Sequence, residues 1–357
     1  MWKVIIRVDA SQDIGSGHVM RCLTLAHQLQ NCGHQVKFIC READGDLENY
    51  IREQGFEVRL LPYIKSNIWE WMKENYKQDV NETTQLLKNE MIDLLIVDHY
   101  SIDEKWEKVL SKYVKKIMVI DDLANRRHHC DLLLDQNYYK NKEIRYQKYI
   151  SNETIQCLGP NFMLVREEFY ASYSTNQQPT IFIFFGSVDQ TNETLKVLKA
   201  LGKLQKKRFF HIITVVGSIN PKRYEIEAYC QSLSSCEFHC QVDNMAELMA
   251  KAHFSITSGG TITWERAMMG LMGIVITVAD NQIELTENLN EQQAICYLGE
   301  SIQVSEEMIY NQVLEIFQKP NLLKTWQVNM NKIFNKEYVM KKPLLEKINE
   351  VMADVRY

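Results

Sequence analysis

Residues 3–31 read KVIIRVDASQDIGSGHVMRCLTLAHQLQN. The opening KVIIRVD has the continuous apolar character of a buried strand. From His18 onward the chain takes the pattern of an amphipathic helix. Between the two, Gly15 and Gly17 bracket Ser16. A strand that passes through a glycine turn straight into a helix is the opening of a parallel β-α unit.

The unit recurs along the chain. Strands are expected at 35–40 (QVKFIC), 56–61 (FEVRLL), 94–98 (LLIVD) and 116–121 (KIMVID), with a long polar helical stretch over 67–90 and a helix over 103–113. From 131 to 161 the pattern is less regular. Residues 167–179, EEFYASYSTNQQP, lose apolar periodicity and read as a linker. A second series starts at 180–186 (TIFIFFG) and continues at 209–217 (FFHIITVVG), 236–241, 253–257 and 273–278. Residues 304–357 are helical and charged, broken at Pro320 and Pro343.

The expected fold class is therefore α/β: two Rossmann-like domains with parallel sheets, at 1–170 and 180–320, then a helical tail at 321–357. Ligands of open α/β sheets lie beyond the carboxyl ends of the strands. Two such domains are expected to turn those ends toward one cleft.

Bulk composition narrows the function. Net charge is −5, so no basic field attracts nucleic acid or an anionic membrane. A phosphate-bearing ligand must then be held by helix N-termini and backbone N–H groups. Nine cysteines are scattered with no C-x-x-C pair, the pattern of a reduced cytoplasmic protein. No signal-peptide core and no apolar run of ~18 residues is present, so membrane insertion is not expected. The sequence sets no oligomeric state, with a monomer the favoured reading.

Five segments sit where a parallel sheet would present a ligand. In the first, His18 opens the helix after Gly15 and Gly17, and Arg21 follows one turn on. The helix dipole disfavours the cationic imidazole, and a neutral one accepts a proton as a general base does. A glycine turn whose histidine only caps the helix fits the same spacing. In the second, ITSGGTITWERAMMG (256–270), a strand runs into Ser258, Gly259, Gly260 and Thr261, and a helix follows with Ile262, Thr263 and Glu265. Small residues at a positive helix end suit an anion, and an acid one turn in suits a ribose diol. The alternative is a tight turn with a surface glutamate.

In the third, GIVITVADNQIELTENL (273–289), Asn281 and Gln282 stand at a strand end, where amides read uracil or sugar groups, or where Asp280 or Asn281 caps a helix. In the fourth, LLIVDHYS (94–101), Asp98, His99 and Tyr100 end a strand, to touch a sugar or orient a water, or simply to build structure. In the fifth, FFGSVD (184–189), Gly186 and Ser187 make a further candidate diphosphate contact. RRHHCD (126–131) has contiguous His128, His129 and Cys130, which point apart and lack chelating spacing. No metal site is expected.

The first three segments together resemble the UDP-sugar hydrolases of pseudaminic acid biosynthesis, which cleave UDP-2,4-diacetamido-2,4,6-trideoxy-β-L-altropyranose and are similar to GT-B glycosyltransferases. RVDASQDIGSGHVMRCLTLA (7–26), IVDHYSID (96–103), IDDLANRRHHCDLLLDQN (120–137), LGPNFMLVREEF (158–169) and the run from SGGTITWE to ADNQ (258–282) carry the likeness. It implies a GT-B-like fold, a small-molecule UDP-sugar as partner, and no cofactor or metal. It implies that His18 activates a water that attacks C1 with inversion while UDP leaves. Glu265 would hold the ribose, and Asn281 and Gln282 would lie near the sugar or pyrophosphate. Met272 stands where the family commonly has Pro, and Ser187-Val188 where a Gly-Ser or Gly-Thr step is usual, which leaves the Gly186 contact in doubt. The competing readings are glycosyl transfer from a UDP-N-acetyl-sugar, non-catalytic nucleotide-sugar binding, and 2-epimerisation, the last calling for more cleft carboxylates than Glu265.

Overall fold

The computed structural model describes residues 1–11, 14–65, 67–88, 90–174 and 177–353. The chain divides into two compact units, Met1–Leu164 with Glu337–Tyr357, and Val165–Lys336.

The first unit is built on a seven-stranded parallel sheet: β1 (Lys3–Val8), β2 (Gln35–Arg41), β3 (Glu57–Leu61), β4 (Ile92–Asp98), β5 (Val114–Ile120), β6 (Leu132–Asp135) and β7 (Ile155–Leu158), in the order β3-β2-β1-β4-β5-β6-β7. Its helices are α1 (Gly17–Asn31), α2 (Glu48–Glu53), α3 (Ile68–Leu87), α4 (Glu104–Leu110) and α5 (Lys142–Arg145). The stretch 131–161, irregular as sequence, supplies β6 and β7. Each is four residues long, too short to show a period.

Alternation along β1 explains the layers. Val4, Ile6 and Val8 pack with Val19, Cys22, Leu23 and Ala26 of α1, while Ile5 faces the opposite core with Ile68 and Met72 of α3 and Trp106 of α4. Both faces of the sheet are covered, which is why its strands read as unbroken apolar runs.

The second unit carries six parallel strands: β8 (Thr180–Phe184), β9 (His211–Val216), β10 (Cys236–Cys240), β11 (Phe254–Thr257), β12 (Gly273–Thr277) and β13 (Cys296–Glu300), ordered β10-β9-β8-β11-β12-β13. Its helices are α6 (Glu193–Gln205), α7 (Arg223–Ser232), α8 (Met245–Ala250), α9 (Ile262–Met269), α10 (Ile283–Glu291), α11 (Glu306–Gln318) and α12 (Asn321–Ile333). The linker expected at 167–179 begins with a 3-10 turn over Glu167–Tyr170 whose Phe169 is buried; Thr175 and Asn176 lie outside the described residues.

After α12 come the short α13 (Lys336–Met340) and α14 (Pro343–Ala353). Leu344, Ile348 and Val351 of α14 enter the same core as α1. Each such side chain contributes about 1.5–3 kcal/mol by leaving water. Among the described residues, no helix is long and apolar enough to cross a membrane.

In each sheet the strand order reverses once, between β1 and β4 and between β8 and β11. Ligands of open α/β sheets bind beyond such reversals. The turn before His18 and the Ser258-Gly259-Gly260 turn follow β1 and β11 directly.

Candidate functional site

In the first unit, β1 ends at Val8, level with Asp98 at the end of β4. The chain then closes a small loop, with the Gly15 N–H donating to the Ser11 carbonyl at 2.9 Å. Gly15 has φ of 77°, a conformation costly for any residue with a Cβ. Gly17 begins α1, so His18 falls in its first turn beside the end of β4.

His18 Nδ1 lies 2.6 Å from Asp98 Oδ1. Arg21 donates to the same carboxylate from Nε and Nη2, both at 2.6 Å, and Cys22 Sγ reaches it at 3.4 Å. Burial alone would push the Asp98 carboxyl up. The charges of Arg21 and His18 and their hydrogen bonds outweigh it and hold Asp98 well below the usual carboxylate range.

An ionised carboxylate only accepts, so Nδ1 of His18 carries the ring proton and donates it. Arg21 Nη2 is 3.2 Å from that nitrogen, and its shorter bond goes to Asp98. In the neutral ring, Nε2 is then the nitrogen that keeps the lone pair. The side chain keeps 10% of its surface exposed, so the ring is held but not sealed. Tyr100 stands edge-on to the imidazole with centroids 4.5 Å apart, and Trp69 of α3 flanks both rings.

Two residues expected at the ligand take other places. The Arg21 guanidinium spends its remaining Nη1 on Asp122 Oδ2 at 3.0 Å, so it braces Asp98. His99 is buried, its Nδ1 accepting the Ser101 N–H at 3.1 Å and its Nε2 3.2 Å from Asp9 Oδ2. Neighbouring strand-end residues point to opposite faces. Asp98 turns toward α1, and His99 toward the buried ion network of Arg7, Asp9, Asp79 and Arg41. Burial also pushes the His99 imidazole down, against the pull of Asp9, which favours the neutral ring.

In the second unit, the Ser258 N–H donates to the Phe184 carbonyl at the end of β8. Gln282 Oε1 accepts from the Gly259 N–H at 3.2 Å and the Val278 N–H at 3.1 Å, and its carbonyl takes the Thr286 hydroxyl. Gln282 thus ties the glycine turn to the end of β12 and takes up the Gly259 N–H. A Cβ on Gly259 would collide with the Thr286 hydroxyl. Ile262 and Thr263 are buried, so their side chains belong to the interior. Thr261 is half-buried and Asn281 exposed.

Glu265 accepts from Arg166 Nε at 2.9 Å, and Arg166 Nη1 reaches Glu168 at the same distance. Glu168 in turn takes the Ala246 N–H at the start of α8. Arg166 lies in the quoted segment LGPNFMLVREEF, but nothing in its local pattern marks it as the partner of Glu265. The Gly186-Ser187 turn packs against Gly217, where a Cβ would overlap the Ser187 backbone. Asp189 then accepts from the Glu193 and Thr194 N–H groups, both at 2.9 Å, and caps α6. Burial pushes its carboxyl up to about 6 despite those bonds.

The contiguous histidines of RRHHCD both meet Glu107, His128 through its ring and His129 through its backbone. His128 Nδ1 is 2.7 Å from Glu107 Oε1, the His129 N–H donates to Glu107 Oε2, and the Cys130 carbonyl accepts from Thr154.

Residues 180–342 match the glycosyltransferase family 28 C-terminal domain. The chain is 29% identical over 283 residues to the UDP-2,4-diacetamido-2,4,6-trideoxy-β-L-altropyranose hydrolase of Campylobacter jejuni, covering 78% of this chain and 93% of that one. The resemblance to that hydrolase holds. An uncharacterized protein of Methanocaldococcus jannaschii is 31% identical over 291 residues, 77% of this chain, and the chain spans 55% of its length. Among solved structures, the spinosyn rhamnosyltransferase SpnG superposes with a TM-score of 0.69 at 13% identity, covering 98% of this chain and all of that one. At that identity the likeness is one of fold: two parallel-sheet α/β units of the GT-B glycosyltransferase kind.

Proposed function

We propose that the chain hydrolyses UDP-2,4-diacetamido-2,4,6-trideoxy-β-L-altropyranose to the free sugar and UDP, with His18 as general base. One observation carries the chemistry: His18 Nδ1 lies 2.6 Å from a buried, ionised Asp98 that accepts its N–H hydrogen bond, so that in the neutral ring Nε2 is the proton acceptor. The substrate is taken from the hydrolase relative of Campylobacter jejuni.

In the proposed step, Nε2 removes a proton from water as the water oxygen bonds to C1. The C1–O bond to the nucleotide breaks on the opposite face, and UDP leaves with the electron pair. Single displacement inverts C1. Asp98 stabilises the imidazolium that forms, as a buried carboxylate does in hydrolytic triads. In the second unit, the backbone N–H groups of Gly260, Thr261 and Ile262, where the turn opens α9, take the negative diphosphate. Glu265 serves the ribose, positioned by Arg166. Asn281 is assigned to the sugar or pyrophosphate.

The test is release of UDP from the diacetamido-altrose nucleotide, with UDP-N-acetylglucosamine as control, no acceptor present and EDTA added. Release from the first alone supports the proposal. Release only when an acceptor alcohol is supplied would make the chain a glycosyltransferase, the activity of its structural neighbours.

A further inference from the structure

We infer that Asp122 is the positioning residue of the His18 centre, holding the imidazole from two directions without touching the reacting atoms. The inference rests on the proposed hydrolysis.

Asp122 follows β5, the neighbour of β4. Its backbone is pinned: its carbonyl accepts from Tyr139 Oη and Arg145 Nη2, both at 3.0 Å. The preceding Asp121 is pinned as well, accepting from the Ala124 N–H, Arg126 Nη1 and Tyr146 Oη. The Asp122 carboxylate therefore projects from a fixed point.

Two arms run from that carboxylate to His18. The first is ionic. Arg21 Nη1 donates to Asp122 Oδ2 at 3.0 Å, and the other side of the same planar fork grips Asp98. With both ends of the guanidinium held, Arg21 has one orientation, and through it Asp98 has one orientation toward Nδ1. The second arm is steric. Burial, then the Asp122 charge, pushes the Tyr100 phenol well above its usual range, so it stays protonated beside Asp122. Its ring meets the His18 imidazole at 82°, which limits tilt of the imidazole.

Either arm alone leaves one degree of freedom. Asp98 fixes where Nδ1 points but permits rotation about that hydrogen bond, and the Tyr100 edge blocks it. Asp122 joins the arms, so its charge and reach together set the direction of Nε2. A displacement of about 1 Å in a catalytic group can cost on the order of 10²-fold in rate.

The experiment compares wild type, Asp122→Asn, Asp122→Glu and His18→Ala by UDP release, and by proton NMR of the imidazole N–H region without substrate. His18→Ala assigns the downfield Nδ1–H line. We expect Asp122→Asn to lower kcat about 10- to 100-fold with KM within about two-fold, and to shift or broaden that line. Asp122→Glu keeps the charge and should restore part of the rate. An unchanged kcat with an unchanged Nδ1–H line overturns the inference, as does a loss confined to KM. If wild type releases no UDP, the hydrolytic reading fails by itself, and the NMR line still decides whether Asp122 positions His18.

Discussion

His18 Nδ1 and Asp98 Oδ1 are 2.6 Å apart although 80 residues separate them in sequence. Strand register makes the contact. Val8 at the end of β1 pairs with Asp98 at the end of β4, and the short turn after β1 starts α1 directly beside that pair. Arg21, one turn along the same helix, meets the same carboxylate from the other side. The catalytic group proposed here is thus set by three fold features: a glycine turn, a parallel register and one helical turn.

Asp98→Asn should be severe for activity. An amide at this position can donate to Nδ1 and so favour the tautomer in which Nε2 carries the proton. The expected loss in kcat is on the order of 10³–10⁴-fold, by analogy with the same change in a hydrolytic triad. Stability should fall by about 3 kcal/mol, because Arg21 stays buried with one carboxylate fewer. Steady-state kinetics and denaturant unfolding check the two parts separately.

Acid stability should follow the same carboxylate. Asp98 titrates lower folded than unfolded, so its contribution is present above about pH 4, the unfolded value, and is lost as pH falls below it. The wild-type melting temperature should drop steeply below about pH 4, and the drop should be shallower in Asp98→Asn. Equal slopes for the two proteins would contradict this.

Asp189 should behave in the opposite sense. Its carboxyl is pushed up to about 6, so near neutral pH the buried charge costs stability, and the cost is relieved as pH falls from about 6 toward 4. Carbon NMR of the side chain should show a midpoint near 6. A midpoint near the ordinary 3.8 would show the group to be better solvated than its burial implies.

Much of this was legible in the chain. The strands TIFIF and KVIIRV are unbroken apolar runs because both faces of their sheets are covered. LLLD and IQCL carry the same signal in four residues, inside a polar region, and read as irregular. CYLGE carries no clear strand signal because β13 is a half-buried edge strand. His18, Arg21 and Tyr100 were marked by their places after strands, and the structure brings the three together. Their roles were less legible. Whether Arg21 faces a ligand or Asp98 depends on the register of β4, and the turning of His99 into the Asp9 network depends on which face a strand-end residue takes. Arg166 and Glu265 are 99 residues apart, and no local pattern links them.

Glu265→Ala should weaken nucleotide binding more than it slows turnover. Loss of a charged acceptor costs about 1.5–3 kcal/mol, or roughly 10- to 150-fold in affinity. Calorimetric titration with UDP measures it. Unchanged affinity would reduce the Arg166–Glu265 pair to a structural tie.

Leu344→Ala tests the terminal helix. Leu344 is 2% exposed in the core shared with α1, and the substitution should cost about 2–5 kcal/mol in denaturant unfolding. A cost below about 0.5 kcal/mol, the level of an ordinary surface change, would mean that α14 contributes little to the first unit.

The most direct test of the central claim is turnover of the diacetamido-altrose nucleotide in ¹⁸O-water, by wild type and His18→Ala, with mass analysis of both products. Attack at C1 assisted by His18 predicts that the label enters the free sugar, that UDP stays unlabelled, and that His18→Ala is slower by on the order of 10²–10⁴-fold. Label in UDP, or a His18→Ala rate equal to wild type, would contradict it.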